Sequence, residues 1–173
     1  MYLLRHGETA FSGCLIGRRD VPAMPAGRRA MAAAVDALED VRCVYSSPLI
    51  RCADFAADWA AQCGIELVLD ERLSELDFGR WEGCSVADIH AAEPERLAAF
   101  WADPFANGPP DGEPFAEFVA RVRAAFSAVT GDRALVVSHG GPIRWRLARE
   151  RGLPPERMLE VDCPLASLHE VTA

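Results

Sequence analysis

Two apolar segments of the chain run directly into a histidine and a glycine, and this repeated pattern constrains the fold more than any other feature. Residues 2–4 (Tyr-Leu-Leu) precede residues 5–7 (Arg-His-Gly), and residues 134–137 (Ala-Leu-Val-Val) precede residues 138–140 (Ser-His-Gly). Short apolar runs of this kind are typical of strands buried on both faces of a parallel sheet. Because ligands bind beyond the carboxyl ends of such strands, we expect both histidines at that edge of a sheet.

One Arg-His pair after a strand is by itself better explained as surface residues, so the prediction depends on partners elsewhere. His139 is the first partner, because it precedes a predicted helix over residues 143–151. There it would lie beside free backbone N–H groups and the positive end of the helix dipole, which together bind anions. His90 lies in a helical pattern and His169 in a strand-like segment, so both are predicted to be structural or surface residues.

The segments between the two motifs alternate strand and helix patterns, as expected for parallel βαβ units. Helices are predicted over residues 28–39, 49–63, 85–100 with a new helix at Pro94, 115–129 and 143–151, and strands over 42–45, 65–69 and 166–171. Arg51 falls in the first turn of a helix that follows a strand, so it is predicted at the same sheet edge as Arg5. Residues 103–114 are predicted to form a surface loop or a lid.

Composition limits the kind of ligand and the groups that can bind it. The chain has 173 residues, half of them apolar, which predicts one domain over residues 1–173 with a sizeable core. The net charge of −8 argues against nucleic acid and against an anionic membrane surface as partners. All 18 basic residues are arginine, which excludes P-loop and Schiff-base lysine chemistry. A bound phosphate would therefore be held by arginines and histidines.

The six cysteines are scattered through the chain, without close pairs or the Cys-His spacing of zinc sites. They are predicted to be small buried hydrophobic residues in a reducing compartment, with no disulfide and no metal site. No signal-peptide pattern and no apolar run long enough to span a bilayer occurs. We expect a soluble cytoplasmic protein, either a monomer or a homodimer.

Four motifs occur in the order expected of one known family. They are residues 5–9 (Arg-His-Gly-Glu-Thr), 46–51 (Ser-Ser-Pro-Leu-Ile-Arg), 75–83 (Glu-Leu-Asp-Phe-Gly-Arg-Trp-Glu-Gly) and 138–141 (Ser-His-Gly-Gly). In this set and order the chain resembles the histidine phosphatase superfamily, in its phosphoglycerate-mutase-like branch. The resemblance implies an α/β fold, a three-layer α/β/α sandwich with a mostly parallel central sheet. It also implies a small-molecule phosphomonoester as substrate, with no metal and no cofactor.

The resemblance assigns roles to the residues of the first and last motifs. His6 would attack phosphorus and form a phosphohistidine, which divides one difficult displacement into two easier ones. Arg5 and Arg51 would bind the phosphoryl oxygens through charge-assisted hydrogen bonds, while His139 and Gly140 would complete the phosphate pocket. Without a metal, these groups would carry the charge stabilisation.

The general acid and base is assigned to Glu75 by the family pattern. On chemistry alone Asp77 and Glu82 compete for that role, since each is a carboxylate in the same motif. Ser12 stands where the family usually has an asparagine, so its contact with phosphate is a weaker expectation.

A phosphatase is favoured over a mutase, because a mutase must shield its phosphoenzyme from water and this chain has little room for extra closing segments. Within the superfamily, the short length, residues 77–83, residues 109–113 and Arg121 look most similar to α-ribazole phosphatases. Generic sugar-phosphate phosphatases, phosphoglycerate mutases and a catalytically weak phospho-ligand-binding protein remain alternatives. Three aromatic residues are open between base stacking and core packing: Trp81, Trp101 and Phe105.

Overall fold

The central sheet brings the two histidine motifs side by side. The computed structural model describes residues 1–131 and 133–172. In this part of the chain the strands are β1 (Tyr2–Arg5), β2 (Cys43–Ser46), β3 (Glu66–Leu69), β4 (Ala134–Ser138) and β5 (Leu168–Glu170). Their order is β3-β2-β4-β1-β5, and all neighbours are parallel except β5, which runs antiparallel to β1. The predicted mostly parallel sheet is confirmed.

The register places the carboxyl ends of three strands next to one another. Arg5 at the end of β1 pairs with Ser138 at the end of β4. On the other side of β4, Ser46 at the end of β2 pairs with Val137. The residues that follow these strands, His6, His139 and Ser47, therefore emerge at one edge of the sheet.

The described helices follow the predicted order, with shifted ends. They are α1 (Pro25–Val35), α2 (Ile50–Cys63), α3 (Val86–Ala92), α4 (Pro94–Ala102), α5 (Phe115–Ala128) and α6 (Gly140–Glu150), with 3-10 turns at Glu71–Leu73, Gly79–Trp81 and Pro155–Glu160. In this part of the chain no helix is long and apolar enough to cross a bilayer. Gly64 ends α2 in the left-handed conformation, as predicted, with φ at 67°.

Two helix boundaries differ from the prediction in an informative way. α1 begins at Pro25 instead of residue 28, since proline is well tolerated at the first helical position. α6 begins at Gly140 instead of residue 143, although a Gly-Gly-Pro sequence is typical of a turn. Pro142 fits there because the first-turn amides of a helix have no intrahelical acceptor, so its missing N–H costs no helical hydrogen bond.

Alternating strand residues bury apolar side chains on both faces of the sheet. Leu3 and Val136 belong to a core cluster that includes residues of α5 and α6. Leu4 and Leu135 belong to a second cluster with residues of α1 and α2. Full burial of such side chains stabilises the fold by roughly 1.5–3 kcal/mol each. The result is three layers, with the sheet between two groups of helices.

Residues 109–113 are fastened to residues 77–80. The Glu113 amide donates to the Asp77 carbonyl at 3.0 Å, and the Arg80 amide donates to the Pro110 carbonyl at 2.9 Å. Gly79 lies so close that an added Cβ would be 2.2 Å from the Pro110 carbonyl oxygen. Of the two alternatives for residues 103–114, this docking favours the surface loop.

The cysteines only partly match their predicted environment. Cys52 and Cys163 are buried, as expected of small hydrophobic residues. Cys63, however, is exposed and the other three are half-buried, so burial is not a common property of the six. Cys63 is exposed because it lies in the last turn of α2, on the solvent side.

Candidate active site

His6 follows β1 and is held in one tautomer by its neighbour. Its Nδ1 lies 2.8 Å from the Gly7 carbonyl oxygen, which can only accept, so Nδ1 carries the proton and Nε2 has a free lone pair. The side chain is 7 % exposed. Burial, followed by the charge of Arg51, lowers the pKa of His6 to about 3. The ring is therefore neutral near pH 7.

His139 caps α6 and is fully buried beside His6, with the two ring centroids 5.2 Å apart. Arg51 donates from Nε to Nδ1 of His139 at 3.1 Å, so that nitrogen is unprotonated. Nε2 then carries the proton and donates to the Ser47 hydroxyl at 2.7 Å. Burial lowers the pKa of His139 well below its ordinary value, and the charge of Arg51 adds to this. Both ring nitrogens of His139 are thus engaged by protein groups.

Arg51 lies beneath the loop of residues 16–19 and is 1 % exposed. Besides its bond to His139, it donates to three backbone carbonyls, those of Ile16, Gly17 and Arg19. Four of its five N–H groups are therefore engaged by the protein, and one N–H on Nη1 is left.

Arg5 differs from Arg51 in having a buried Nε without a partner among the described residues. Its Nη1 donates to the Cys163 carbonyl. Burial lowers the pKa of Arg5 from its ordinary value, partly offset by the nearby Cys163. A buried, unpartnered N–H beside His6 is a vacant donor for an anionic oxygen.

Glu75 is held by the first turn of α6. The Gly141 amide lies 3.2 Å from Oε1 and 3.0 Å from Oε2, and the Leu76 amide donates to Oε1 at 3.0 Å. The residue is 8 % exposed. These amide contacts fix the Glu75 side chain at the N-terminal turn of α6.

The two competing carboxylates have other partners. Glu82 accepts hydrogen bonds from four backbone amides, those of Gly17, Arg18, Arg19 and Phe78. Asp77 accepts from the Gly79 amide at 2.8 Å and so closes a local turn. Among the described residues that line the central cavity, Glu75 is present and the other two are absent. Glu82 organises the loop that covers Arg51.

The cavity has a volume of about 200 Å³ and is lined by both charged and apolar side chains. Its charged or titratable lining residues are Arg5, His6, Glu8, Cys14, Glu75 and Arg144. Its apolar lining includes Phe11, Leu15, Phe78, Phe100, Trp101 and Leu165. Ser12 lies at the rim and is exposed, and Arg51 and His139 do not line the cavity. Such a cavity suits an anionic group attached to an apolar or aromatic body.

The three aromatic residues for which the sequence allowed either base stacking or core packing lie in different environments. Trp101 lines the cavity and is 43 % exposed, so it is available to a ligand. Trp81 is 2 % exposed and packs against Phe100, which makes it a core residue. Phe105 packs edge-on against Phe115, with ring centroids 5.0 Å apart, and does not line the cavity.

Arg121, noted in the sequence only as part of the resemblance, lies behind the site and supports Glu75. It makes a two-pronged ion pair with Glu113, with Nε 2.5 Å from Oε1 and Nη2 2.7 Å from Oε2. The same guanidinium donates to the carbonyls of Ser74 and Glu75. It therefore fixes the backbone on which the Glu75 carboxylate is carried.

Fold and cavity together define an α/β protein with two buried neutral histidines at adjacent strand ends, beside arginine and a helix-bound carboxylate. The chain belongs to the histidine phosphatase superfamily, branch 1, whose family model matches residues 1–173. This confirms the resemblance seen in the four motifs.

Several known proteins are similar over most or all of this chain. A bifunctional protein of Mycobacterium tuberculosis is 34 % identical over 184 residues, covering 100 % of this chain and 50 % of that protein. The chain thus spans about half the length of the first curated relatives it matches.

Solved structures show the same fold. A mycobacterial glucosyl-3-phosphoglycerate phosphatase in complex with VO3 is 28 % identical, with a TM-score of 0.84, over 97 % of this chain and 88 % of that one. An α-ribazole phosphatase from Shigella flexneri has a TM-score of 0.77 over 96 % of this chain and 87 % of that one. At 24 % identity the second likeness shows the fold alone.

Proposed function

We propose that residues 1–173 act as one histidine phosphatase domain that hydrolyses small-molecule phosphomonoesters through a phosphohistidine at His6, without a metal ion. The observation that carries this proposal is the hydrogen bond between Nδ1 of His6 and the Gly7 carbonyl, at 2.8 Å. It leaves the Nε2 lone pair free, and burial holds the pKa of His6 at about 3. The imidazole is therefore a neutral nucleophile at physiological pH.

The reaction proceeds in two balanced displacements. First, Nε2 of His6 bonds to phosphorus while the ester P–O bond breaks, and Glu75 gives its proton to the leaving alkoxide. Water then attacks phosphorus, Glu75 takes a proton from that water, and the N–P bond breaks to release phosphate and neutral His6. The presence of Glu75 and His6 in one cavity supports this pairing.

Charge on the phosphoryl oxygens is stabilised by preorganised donors. Arg5 supplies its unpartnered Nε, and Arg51 supplies its one remaining N–H. His139 joins them when its Nε2–H leaves the Ser47 hydroxyl and turns to a phosphoryl oxygen. The Gly140 backbone and, from the rim, Ser12 complete the phosphate site.

The substrate we propose is α-ribazole 5′-phosphate, an intermediate of cobalamin biosynthesis that carries a heteroaromatic base. Support comes from the apolar and aromatic walls of the cavity and from the exposed ring of Trp101 at its edge. An aromatic ring there can stack on a planar base. The fold shared with an α-ribazole phosphatase is compatible with this choice.

A substrate screen tests the choice of α-ribazole 5′-phosphate against sugar phosphates and both phosphoglycerates. We expect the highest kcat/KM for α-ribazole 5′-phosphate, and a Trp101→Ala variant should raise its KM but leave that for glucose 6-phosphate unchanged. Higher kcat/KM for sugar phosphates would favour a broad-specificity phosphatase. Interconversion of the phosphoglycerates would favour a mutase.

Hydrolysis of p-nitrophenyl phosphate, with and without a chelator, tests the reaction class itself. We expect equal turnover in both conditions. Loss of activity on chelation would contradict the metal-free reaction. If no phosphomonoester is turned over, the result would instead favour the alternative of a phospho-ligand-binding protein with the same fold.

A further inference from the structure

The guanidinium groups of Arg5 and Arg144 both lie beside Gly140, and both residues line the cavity. A Cβ added to Gly140 would lie 2.6 Å from Nη1 of Arg144 and 3.4 Å from Nε of Arg5. Only a residue without a side chain leaves space for both cations at that point. Two like charges so close together repel each other unless an anion lies between or beside them.

Among the described residues, neither cation forms an ion pair with a carboxylate. Arg144 donates from Nε to the Val161 carbonyl at 2.9 Å, and Arg5 donates to the Cys163 carbonyl. Across residues 1–131 and 133–172, no ion pair within 4.0 Å involves either guanidinium. The two carbonyls fix the direction of the guanidinium groups but carry no net charge, and the Glu75 carboxylate, which acts on Arg5 from the same cavity, lies beyond ion-pair distance.

Arg5 and Arg144 have more N–H donors left for an anion than Arg51 has. Arg51 has one N–H left after its bonds to His139 and the 16–19 loop. Arg144 lines the cavity, and both its Nη atoms lack a partner among the described residues. Arg5 keeps its buried Nε free.

We propose that Arg144 is a catalytic residue that binds the phosphoryl group together with Arg5 and Arg51, as a third guanidinium of the phosphate site. Its Nη1 lies beside Gly140, the residue after His139, and Arg144 lines the same cavity as His6. We therefore expect it to contact the transferred group, not the leaving group. This inference rests on the proposed function for its ligand, but anion binding tests it without any turnover.

The test compares equilibrium binding of inorganic phosphate to the wild-type protein and to Arg144→Met by titration calorimetry. Loss of charge-assisted hydrogen bonds should weaken binding about 10- to 100-fold. The matched control is Arg149→Met, because Arg149 is exposed on the same helix and its guanidinium lies over the Trp145 ring. That variant should bind phosphate as the wild type does. Arg144→Gln provides the same comparison if the Met variant does not fold.

Turnover supplies a second readout that separates the transferred group from the leaving group. p-Nitrophenyl phosphate has no second acidic group, and its kcat/KM should fall with the phosphate affinity in Arg144→Met. Wild-type phosphate affinity in the folded variants would overturn the proposal. So would slowing confined to substrates that carry an additional carboxylate. If the wild type hydrolyses nothing, the phosphate affinities still decide the role of Arg144 separately from the proposed function.

Discussion

The Gly141 amide donates to both carboxylate oxygens of Glu75, at 3.2 and 3.0 Å, so the first turn of α6 holds this acid in the cavity. A side chain at position 141 would not fit in the space available. A Cβ there would lie 2.2 Å from Oε1 of Glu75 and 2.9 Å from the Phe118 ring. Gly141, the second glycine of the Ser-His-Gly-Gly motif, thus positions the Glu75 carboxylate, whereas the first glycine does not contact that carboxylate.

Gly141→Ala should displace the Glu75 carboxylate and lower kcat for alkyl phosphates by about 100-fold, since a displacement near 1 Å has effects of that size. Gly108→Ala is the matched control, because its added Cβ would meet nothing closer than the Glu113 carbonyl oxygen at 4.0 Å. Steady-state kinetics and thermal melts of both variants make the comparison. Wild-type kcat in Gly141→Ala would contradict a role for the Glu75 position.

Glu75→Gln and Glu82→Gln should differ in how they depend on the leaving group. Glu75→Gln should slow alkyl phosphates by about 10²–10⁴-fold and p-nitrophenyl phosphate far less, because a good leaving group needs no proton. Glu82→Gln should weaken the four amide contacts of Glu82 and lower stability by about 1–3 kcal/mol, with no such dependence. Equal slowing of both substrates by Glu75→Gln would count against the general acid.

The free energy of unfolding should decrease as the pH falls from 7.5 to 5.5. His6 and His139 have pKa values in the folded state below the unfolded value near 6.5, so the unfolded chain binds more protons below that pH. Each pH unit below 6.5 is worth up to about 1.4 kcal/mol per histidine, or roughly 2–3 kcal/mol for both over this range.

Urea unfolding at several pH values measures this dependence. His6→Asn should remove about half of the slope, whereas His90→Gln should leave it unchanged because His90 is exposed. A pH-independent free energy between 7.5 and 5.5 would show that the two rings are not buried in their neutral form.

Arg121→Met should destabilise the protein by about 3–5 kcal/mol, because it removes the ion-pair partner of the poorly exposed Glu113 carboxylate. Arg121→Met combined with Glu113→Leu should recover part of this loss. The control is Arg80→Met, whose partner Asp111 is 79 % exposed, with an expected change below about 1 kcal/mol. Urea unfolding gives all three values. Equal losses in the free energy of unfolding for Arg80→Met and Arg121→Met would contradict the view that Arg121 fixes the backbone at Glu75.

The sheet and its edge were predictable because they depend on local patterns. Buried strands such as β4 leave a continuous apolar run, and the polarity change at Ser138 and His139 marks where the strand ends. Parallel connectivity then determines that Arg5 and Arg51 approach the same edge.

The use of each donor and acceptor was not predictable, because it depends on contacts between distant segments. No local sequence pattern indicates that Arg51 donates four hydrogen bonds to other protein groups. Nor does any such pattern indicate that Glu82 accepts hydrogen bonds from four backbone amides. Arg144 was missed for a simpler reason. With α6 starting at Gly140, Gly140 and Arg144 are four residues apart on one helix face, whereas a start at residue 143 hides that relationship.

The most direct test of a phosphohistidine at His6 is rapid-quench trapping of the enzyme with phosphoryl-labelled p-nitrophenyl phosphate, followed by mass-spectrometric mapping of the label. We predict an acid-labile phosphoenzyme with the label on His6, none in a folded His6→Ala variant, and an unchanged amount in the control His90→Ala. A label on another residue, or an acid-labile phosphoenzyme that still forms in His6→Ala, would contradict the account.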